Sequence, residues 1–156
     1  MMRYSRKEEI LKEPYIEKNM SYLQNVIVEI CQEKGWSYEY HTKEKEVLFK
    51  VPISNGREQV VTAKLSDTEF GEVIDIISRA GGFNRNMQKD TLIDLLKFNN
   101  ALVYSRTEIN ENETGVYLVG RTLGGCANQE EIAVMIEEVA LSADGVEQEV
   151  FGTDIE

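Results

Sequence analysis

The sequence predicts an α+β fold in which helices cover one antiparallel sheet, in the order α-β-β-β(-β)-α-β-β-α. Apolar residues recur every three or four positions in three segments, and every second position in the segments between them. The links between neighbouring β segments are short enough for hairpins, whereas parallel strands need long crossover connections. The length of 156 residues fits one domain with a buried core.

The first helix is predicted from about residue 15 to Lys34. Pro14 suits a helix start, a capping box of Ser21 with Gln24 would suit a later start, and Gly35 suits a helix stop. The apolar residues of this segment fall on one helical stripe, which consists of Ile16, Met20, Leu23, Ile27, Ile30 and Cys31. Residues 1–14, where charges of both signs alternate, are predicted to form an N-terminal arm. Residues 15–156 are predicted to form a single domain.

After the first helix the hydrophobic period changes to two, which predicts strands over residues 36–41, 47–51 and 57–65. Asn55-Gly56, between the second and third of these, is a strong signal for a two-residue hairpin turn. His41 is the only histidine and falls on the first strand. The sequence has no second histidine and no cysteine close to His41. We therefore expect a solvent-facing or hydrogen-bonded side chain at this position and not a zinc ligand.

Residues 68–80 fit either a helix or a strand. Helical spacing joins Phe70, Val73, Ile74 and Ile77. The run from Val73 to Ser78, however, is dense in β-branched residues, which favours a fourth early strand. Gly81-Gly82 ends the segment in either case.

A second helix is predicted over about residues 87–99. Either Asn86 or a capping box of Thr91 with Asp94 could begin it. Asn99-Asn100 could supply a left-handed stop.

The apolar arc of this second helix is wider than a helix with one buried side needs. Its core stripe is predicted to consist of Leu92, Leu95 and Leu96. Ile93 and Phe98 flank that stripe on opposite sides. Either both flanking residues are covered by the sheet and the neighbouring helices, or one of them lies in a subunit or client interface.

The last third of the chain predicts a hairpin and then a third helix. Residues 101–109 and 116–121 read as strands around a polar turn, and Asn128 is the predicted helix cap. The buried stripe of the helix is predicted to be Ile132, Met135, Ile136, Val139 and Ala143. Gly145 either ends the helix or lies within it, in which case Val146, Val150 and Phe151 continue the same face.

Nearly all of the net negative charge lies in residues 107–156, which hold 12 acidic side chains against one basic residue, Arg121. Such a surface repels nucleic acid and anionic lipid and attracts basic protein segments. The acidic pairs Glu130-Glu131 and Glu137-Glu138 are either a solvated helix face or a docking surface for a basic partner. We expect no nucleic-acid partner and no membrane partner.

Cysteine usage and the absence of an apolar signal segment predict a cytoplasmic protein. Cys31 and Cys126 are far apart and form no CxxC pair, so two free, reduced thiols are expected. The apolar runs are far too short to cross a membrane. No secretory signal pattern is visible.

The order of these segments resembles the YbjN family, whose fold is that of class I type III secretion chaperones. The resemblance covers about residues 18–150. It rests first on the strand pair 47–53 and 57–65 and on the strand interpretation of 74–80. The helix 92–99 is similar to the family's Leu-Leu-x-x-Asn helix. The hairpin that precedes the helix 130–146 is the last part of the resemblance. The sequence departs from the secretion chaperones in its fourth early strand and its N-terminal arm.

The resemblance implies a small, acidic, cytoplasmic homodimer that holds an extended segment of a client protein. YbjN-like proteins are described as regulators, and in the secretion chaperones the middle helix and a neighbouring strand commonly form the dimer. We therefore expect a non-enzymatic protein-binding module with a partner or dimer interface at Ile93, Lys97 and Phe98.

No motif predicts a catalytic, cofactor or metal site. The glycine-bearing segment 120–125 precedes a helix, but a phosphate loop would carry Lys-Ser/Thr after its last glycine, where Cys126-Ala127 stand. The alternative function is a small enzyme or ligand-binding protein of unknown chemistry. In that case the strand residues that could line a pocket are Arg79, Tyr104, Arg106, Tyr117 and Arg121.

Overall fold

The computed structural model describes residues 22–124 and 127–152. The predicted N-terminal arm (residues 1–14), the first seven residues of the predicted first helix (15–21) and Cys126 lie outside the described residues. The domain boundary at residue 15 therefore stays a prediction.

The described elements follow the predicted order, with the fourth early strand present. The helices are α1 (Tyr22–Lys34), α2 (Lys89–Phe98) and α3 (Gln129–Glu149), and a short 3-10 turn, Asn99–Ala101, follows α2. The strands are β1 (Tyr38–His41), β2 (Glu46–Pro52), β3 (Glu58–Thr68), β4 (Gly71–Gly82), β5 (Ser105–Ile109) and β6 (Gly115–Leu123). The predicted α+β fold is confirmed.

The strands form one six-stranded antiparallel sheet in the order β1-β2-β3-β4-β6-β5. Within this sheet β1 and β5 are therefore the two edge strands. Residues 71–82 form its longest strand, so the strand interpretation of 68–80 is correct and the helical alternative is wrong. Because β4 pairs with β3 on one side and β6 on the other, its β-branched side chains pack on a pleated surface.

The core lies between one face of the sheet and helices α1 and α3. Alternate residues of the strands point into it, among them Phe49, Val61, Ala63, Ile74, Ile76 and Leu118. The described part of the predicted α1 stripe is buried, as is the whole α3 stripe. Helix α3 approaches the sheet closely, since a Cβ on Gly120 would lie 2.8 Å from Cγ and Sδ of Met135. Glycine at this position therefore permits the contact.

Helix α3 begins as predicted and runs past Gly145. The Asn128 side chain accepts a hydrogen bond from the Glu131 backbone N–H (2.8 Å), and the Glu131 carboxylate accepts one from the Asn128 N–H (3.4 Å). This capping box satisfies two helix-end donors. Beyond Gly145 the helix continues to Glu149, and Val146 is fully buried.

The ends of helix α2 differ from the prediction. Gln88 is the N-cap and makes no side-chain capping bond, so neither Asn86 nor the Thr91–Asp94 pair caps the helix. Asn99 has right-handed helical angles (φ −61°, ψ −20°) and leads into the 3-10 turn, so the predicted left-handed stop is wrong. The physical reason is tertiary, because the Asn99 side chain is bonded to strand β5.

Candidate functional site

An apolar groove of about 300 Å³ runs between helix α2 and the edge strand β5. Its lining residues are Leu92, Leu95, Leu96, Thr107, Glu108, Ile109 and Val116. Of these, Leu95 and Val116 belong to the core, whereas Leu96 and Ile109 are exposed. The groove thus continues the hydrophobic core out to the molecular surface.

Thr107 links helix α2 to strand β5, the two walls of the groove, through hydrogen bonds. Its Oγ1 donates to the Leu95 carbonyl (3.1 Å), and its backbone N–H donates to Oδ1 of Asn99 (2.7 Å). The N–H of Thr107 therefore points away from β6 and towards the end of α2. These two bonds tie α2 to β5, while the remainder of the outer edge of β5 has no strand neighbour in the described sheet.

Helix α2 presents two different faces because successive residues are rotated by about 100°. Leu92 and Leu96, four residues apart, line the groove. Ile93 and Lys97, also four residues apart, lie on the adjoining face. Both are exposed, Ile93 to 37%.

The structure separates the three predicted interface residues. Ile93 and Lys97 share one exposed face of α2, whereas Phe98 is half-buried and packs against the core. Its ring reaches α3, with Cζ 3.6 Å from the position that a Cβ on Gly145 would take. The participation of these residues in an interface stays a prediction.

Two groove residues were not expected from the sequence. Helical spacing predicts Leu96 to be core, but it is 68% exposed, and Ile109, which no sequence pattern indicates as a surface residue, is 43% exposed. The broad apolar arc of α2 was the signal for an exposed leucine. Which leucine it would be depends on how the helix docks.

The alternative site predicted from arginine and tyrosine residues is only partly assembled. Arg106, Tyr117 and Arg121 line a groove of about 270 Å³ on the outer face of the sheet, the face opposite α1 and α3. Tyr104 lies instead in a separate depression near the start of α3, together with Arg121. Arg79 lies opposite Tyr117 in the register of β4 and β6, but it does not line this groove and donates to the Thr114 carbonyl (3.3 Å).

Both arginines of this outer groove are engaged by carboxylates. Arg121 donates to Asp75 through Nε (2.6 Å) and Nη2 (3.2 Å), and Arg106 bonds to Glu108. The hydrogen bonds and charge of Asp75, more than the charge of Glu108, raise the pKa of the Arg121 guanidinium above its ordinary value. An anionic ligand would have to compete with these internal partners.

The remaining candidate residues have structural surroundings. His41 Nε2 lies 3.3 Å from a Glu39 oxygen and Nδ1 lies 3.5 Å from a Glu46 oxygen, which confirms a hydrogen-bonded histidine. Cys31 is fully buried, as predicted, and burial raises the pKa of its thiol. No group of three or more His, Cys, Asp or Glu side chains within 22–124 and 127–152 could hold a metal ion.

The glycine-bearing segment after residue 119 is not a loop throughout. Residues 120–123 continue strand β6, and Gly124 donates its N–H to the Glu72 carbonyl (2.8 Å). This part of the segment is therefore bound to the sheet and does not cradle an anion. None of the described helices is both long and apolar enough to cross a membrane.

The chain is similar to solved protein structures, whereas comparison of its sequence with known proteins gives no match. No family model and no curated protein matches the chain. A chain of the ExsC-ExsE complex matches with a TM-score of 0.58 at 13% identity, over 82% of this chain and 92% of that chain.

Two further solved structures match less well. The Yersinia pestis type III secretion chaperone SycH, in complex with a fragment of YscM2, gives a TM-score of 0.46 at 17% identity, over 73% of this chain and 90% of that one. YbjN from E. coli, described as a putative transcription regulator, gives 0.49 at 10% identity, over 79% and 89%. The first of the three matches shows that the chain shares the fold of that structure, and the fold agrees with the one that the order of its segments predicted.

Proposed function

We propose that this protein is a non-enzymatic binding module that holds a segment of a partner protein. The observation that carries the proposal is the apolar groove between α2 and β5, which opens beside the edge strand of the sheet. A protein of similar fold, in the ExsC-ExsE structure, is itself part of a protein complex. The proposal includes a cytoplasmic location, where a buried free thiol such as Cys31 stays reduced.

The groove suits apolar side chains of a partner segment. Leu96 is exposed to 68% and Ile109 to 43%, and the surface between them is apolar. Burial of such surface is favourable by roughly 25 cal/mol per Å². A partner side chain that fills the groove would remove both residues from water.

The adjoining face of α2 is proposed as a dimer contact. Ile93 and Lys97 lie on this face, turned away from the groove, so a second copy could bind there while the groove stays open. Phe98 packs against the core beneath the helix and would fix its position in the interface. The resemblance of the segment order to secretion chaperones supports a homodimer formed through this helix.

The groove is tested by quantitative co-purification from native lysate with Leu96→Ser and Ile109→Ser variants. A partner that copurifies with the unaltered protein should be lost from both variants. Val60→Ser is the matched control, because Val60 is a comparably exposed apolar residue on the outer face of β3. Thermal unfolding of each variant should show an unchanged folded state. An identical set of captured proteins for all variants would contradict the proposal.

A ligand-binding function has one observation in its favour, the outer groove that contains Arg106, Tyr117 and Arg121. The test is a thermal-shift screen against anionic metabolites with the unaltered protein and with Arg106→Gln. Stabilisation of the unaltered protein alone would favour this second function. Equal or absent shifts would count against it.

A further inference from the structure

The exposed face of helix α3 carries a seven-residue repeat of acidic and apolar residues. The acidic pair Glu130-Glu131 recurs as Glu137-Glu138, and the apolar residue Val134 recurs as Leu141. Seven residues span nearly two helical turns, so all of these positions fall on one side of the helix. Val134 and Leu141 are thus one apolar position of a seven-residue repeat, with acidic residues beside it on the same face.

The apolar members of the repeat are open to solvent. Val134 is 49% exposed and Leu141 is 58% exposed, whereas the opposite side of α3 is buried in the core. The loop before β5 runs beside them, because the N–H groups of Val103 and Tyr104 each donate to the Glu138 carboxylate at 2.7 Å. Val103, itself exposed, adds to the apolar surface there.

Apart from Glu130 and Glu131 at its N-terminal end, the acidic residues of α3 are not placed where they would stabilise the helix. Its sequence has seven acidic residues and no basic one, and Glu147 and Glu149 lie at the C-terminal end, where negative charge opposes the helix dipole. Lys34 pairs with Glu137 (3.2 Å), and Arg57 pairs with Asp144 (2.9 Å). The charges of Glu130, Glu131 and Glu138 are paired with no basic side chain of the described chain, so the face is net negative.

We propose that this face of α3 docks a basic amphipathic helix of a partner protein. Apolar side chains of that helix, seven residues apart, would pack against Val134 and Leu141, and its lysine or arginine residues would lie against the flanking glutamates. The surface is on a different helix from the α2–β5 groove. The inference therefore goes beyond the function proposed above and does not depend on it.

The probe is a designed helical peptide of about three heptads, with leucine at the seam and lysine at the flanking positions. Its binding to the full chain is followed by fluorescence anisotropy at low salt. The double variant Val134→Ser/Leu141→Ser should weaken binding by about tenfold or more. Leu96→Ser is the matched control, since it removes a similarly exposed leucine from α2, and should leave the affinity unchanged. Added salt should weaken binding to the unaltered protein.

Three results would overturn the inference: no binding to the unaltered protein, equal binding to the double variant, or equal binding of a scrambled peptide of the same composition. Circular dichroism and thermal unfolding must show that the double variant is folded. Because Leu96→Ser is also a groove variant, the same protein separates the two proposals. It should lose the partner held in the groove and keep the basic peptide.

Discussion

Leu95 and Leu96 are neighbouring leucines with opposite surroundings. Leu95 is 4% exposed and Leu96 is 68% exposed, because one step along a helix rotates the side chain by about 100°. Helical spacing places both within a broad apolar arc. Only the docking of α2 against β5 determines that Leu95 points into the core.

Substitution of these two leucines should give very different losses of stability. Leu95→Ala removes a buried side chain and should lower the free energy of unfolding by about 2–5 kcal/mol. Leu96→Ala should change it by less than about 0.5 kcal/mol, since its side chain is mostly in water. Urea denaturation followed by circular dichroism measures both. Similar losses for the two variants would mean that α2 docks in another orientation.

Cys31 is a buried thiol on the core side of α1. Burial raises the pKa of this thiol above its ordinary value of 9.0, so the neutral form is favoured in the folded state. The unfolded chain ionises first as pH rises. The contribution of Cys31 to stability is therefore fully present below about pH 9 and is lost at higher pH.

A Cys126→Ser variant isolates this thiol for measurement. In the folded protein at pH 8, Cys31 should not react with a thiol-specific reagent, because it is both buried and protonated. In denaturant one thiol per chain should react at once. Equal labelling rates in the two conditions would contradict the burial of Cys31.

At the scale of elements, α3 and α2 show how differently helix ends are specified. Asn128 and Glu131 are three residues apart and bond to each other's backbone, so the sequence alone identifies this cap. Helix α2 begins at a residue without a capping side chain and is held at its other end by β5. Its bounds therefore depend on tertiary contacts.

Removal of the α3 cap should lower the stability of the folded protein by a measurable amount. Asn128→Ala should lower the free energy of unfolding by about 1 kcal/mol, because the N–H of Glu131 loses its acceptor. Asn86→Ala is the matched control. The sequence offers Asn86 as a candidate cap of α2, but the structure shows that it does not cap this helix. Its substitution should therefore have little effect on the free energy of unfolding. Chemical denaturation distinguishes the two, and equal effects would contradict the assignment of the cap.

The strands also differ in how far the sequence alone specifies them. The alternation in β2 and β3 and the turn at Asn55-Gly56 predicted a hairpin, and the register pairs Pro52 with Glu58 across that turn. For β4 the spacing of apolar residues was compatible with a helix. Pairing with β3 and β6 resolves the ambiguity, since both neighbours supply hydrogen bonds that a helix would make internally.

At the scale of the whole molecule, one face of the sheet is covered by α1 and α3, and α2 lies at the β5 end. The groove and the proposed dimer face therefore adjoin each other on α2, whereas the acidic face is on α3.

The proposed dimer should dissociate when a single charge is introduced at Ile93. Light scattering after gel filtration should give twice the monomer mass for the unaltered protein and the monomer mass for Ile93→Asp, with unchanged thermal unfolding. Phe98→Asp should instead unfold the protein, since Phe98 packs against the core and a buried unpaired charge is costly. A monomer at tens of micromolar for the unaltered protein would reject the dimer.

The sequence by itself determined the order of the elements, the hairpins, the cap of α3, the buried stripe of α3 and the described part of the α1 stripe, and hence the fold class. Each of these depends on periodicity or on residues close together along the chain. Only the tertiary structure decided which α2 leucine is exposed, which carboxylates hold Arg106 and Arg121, and where the groove lies. Those features arise where distant segments meet, and a helix with a broad apolar arc can dock in more than one rotation.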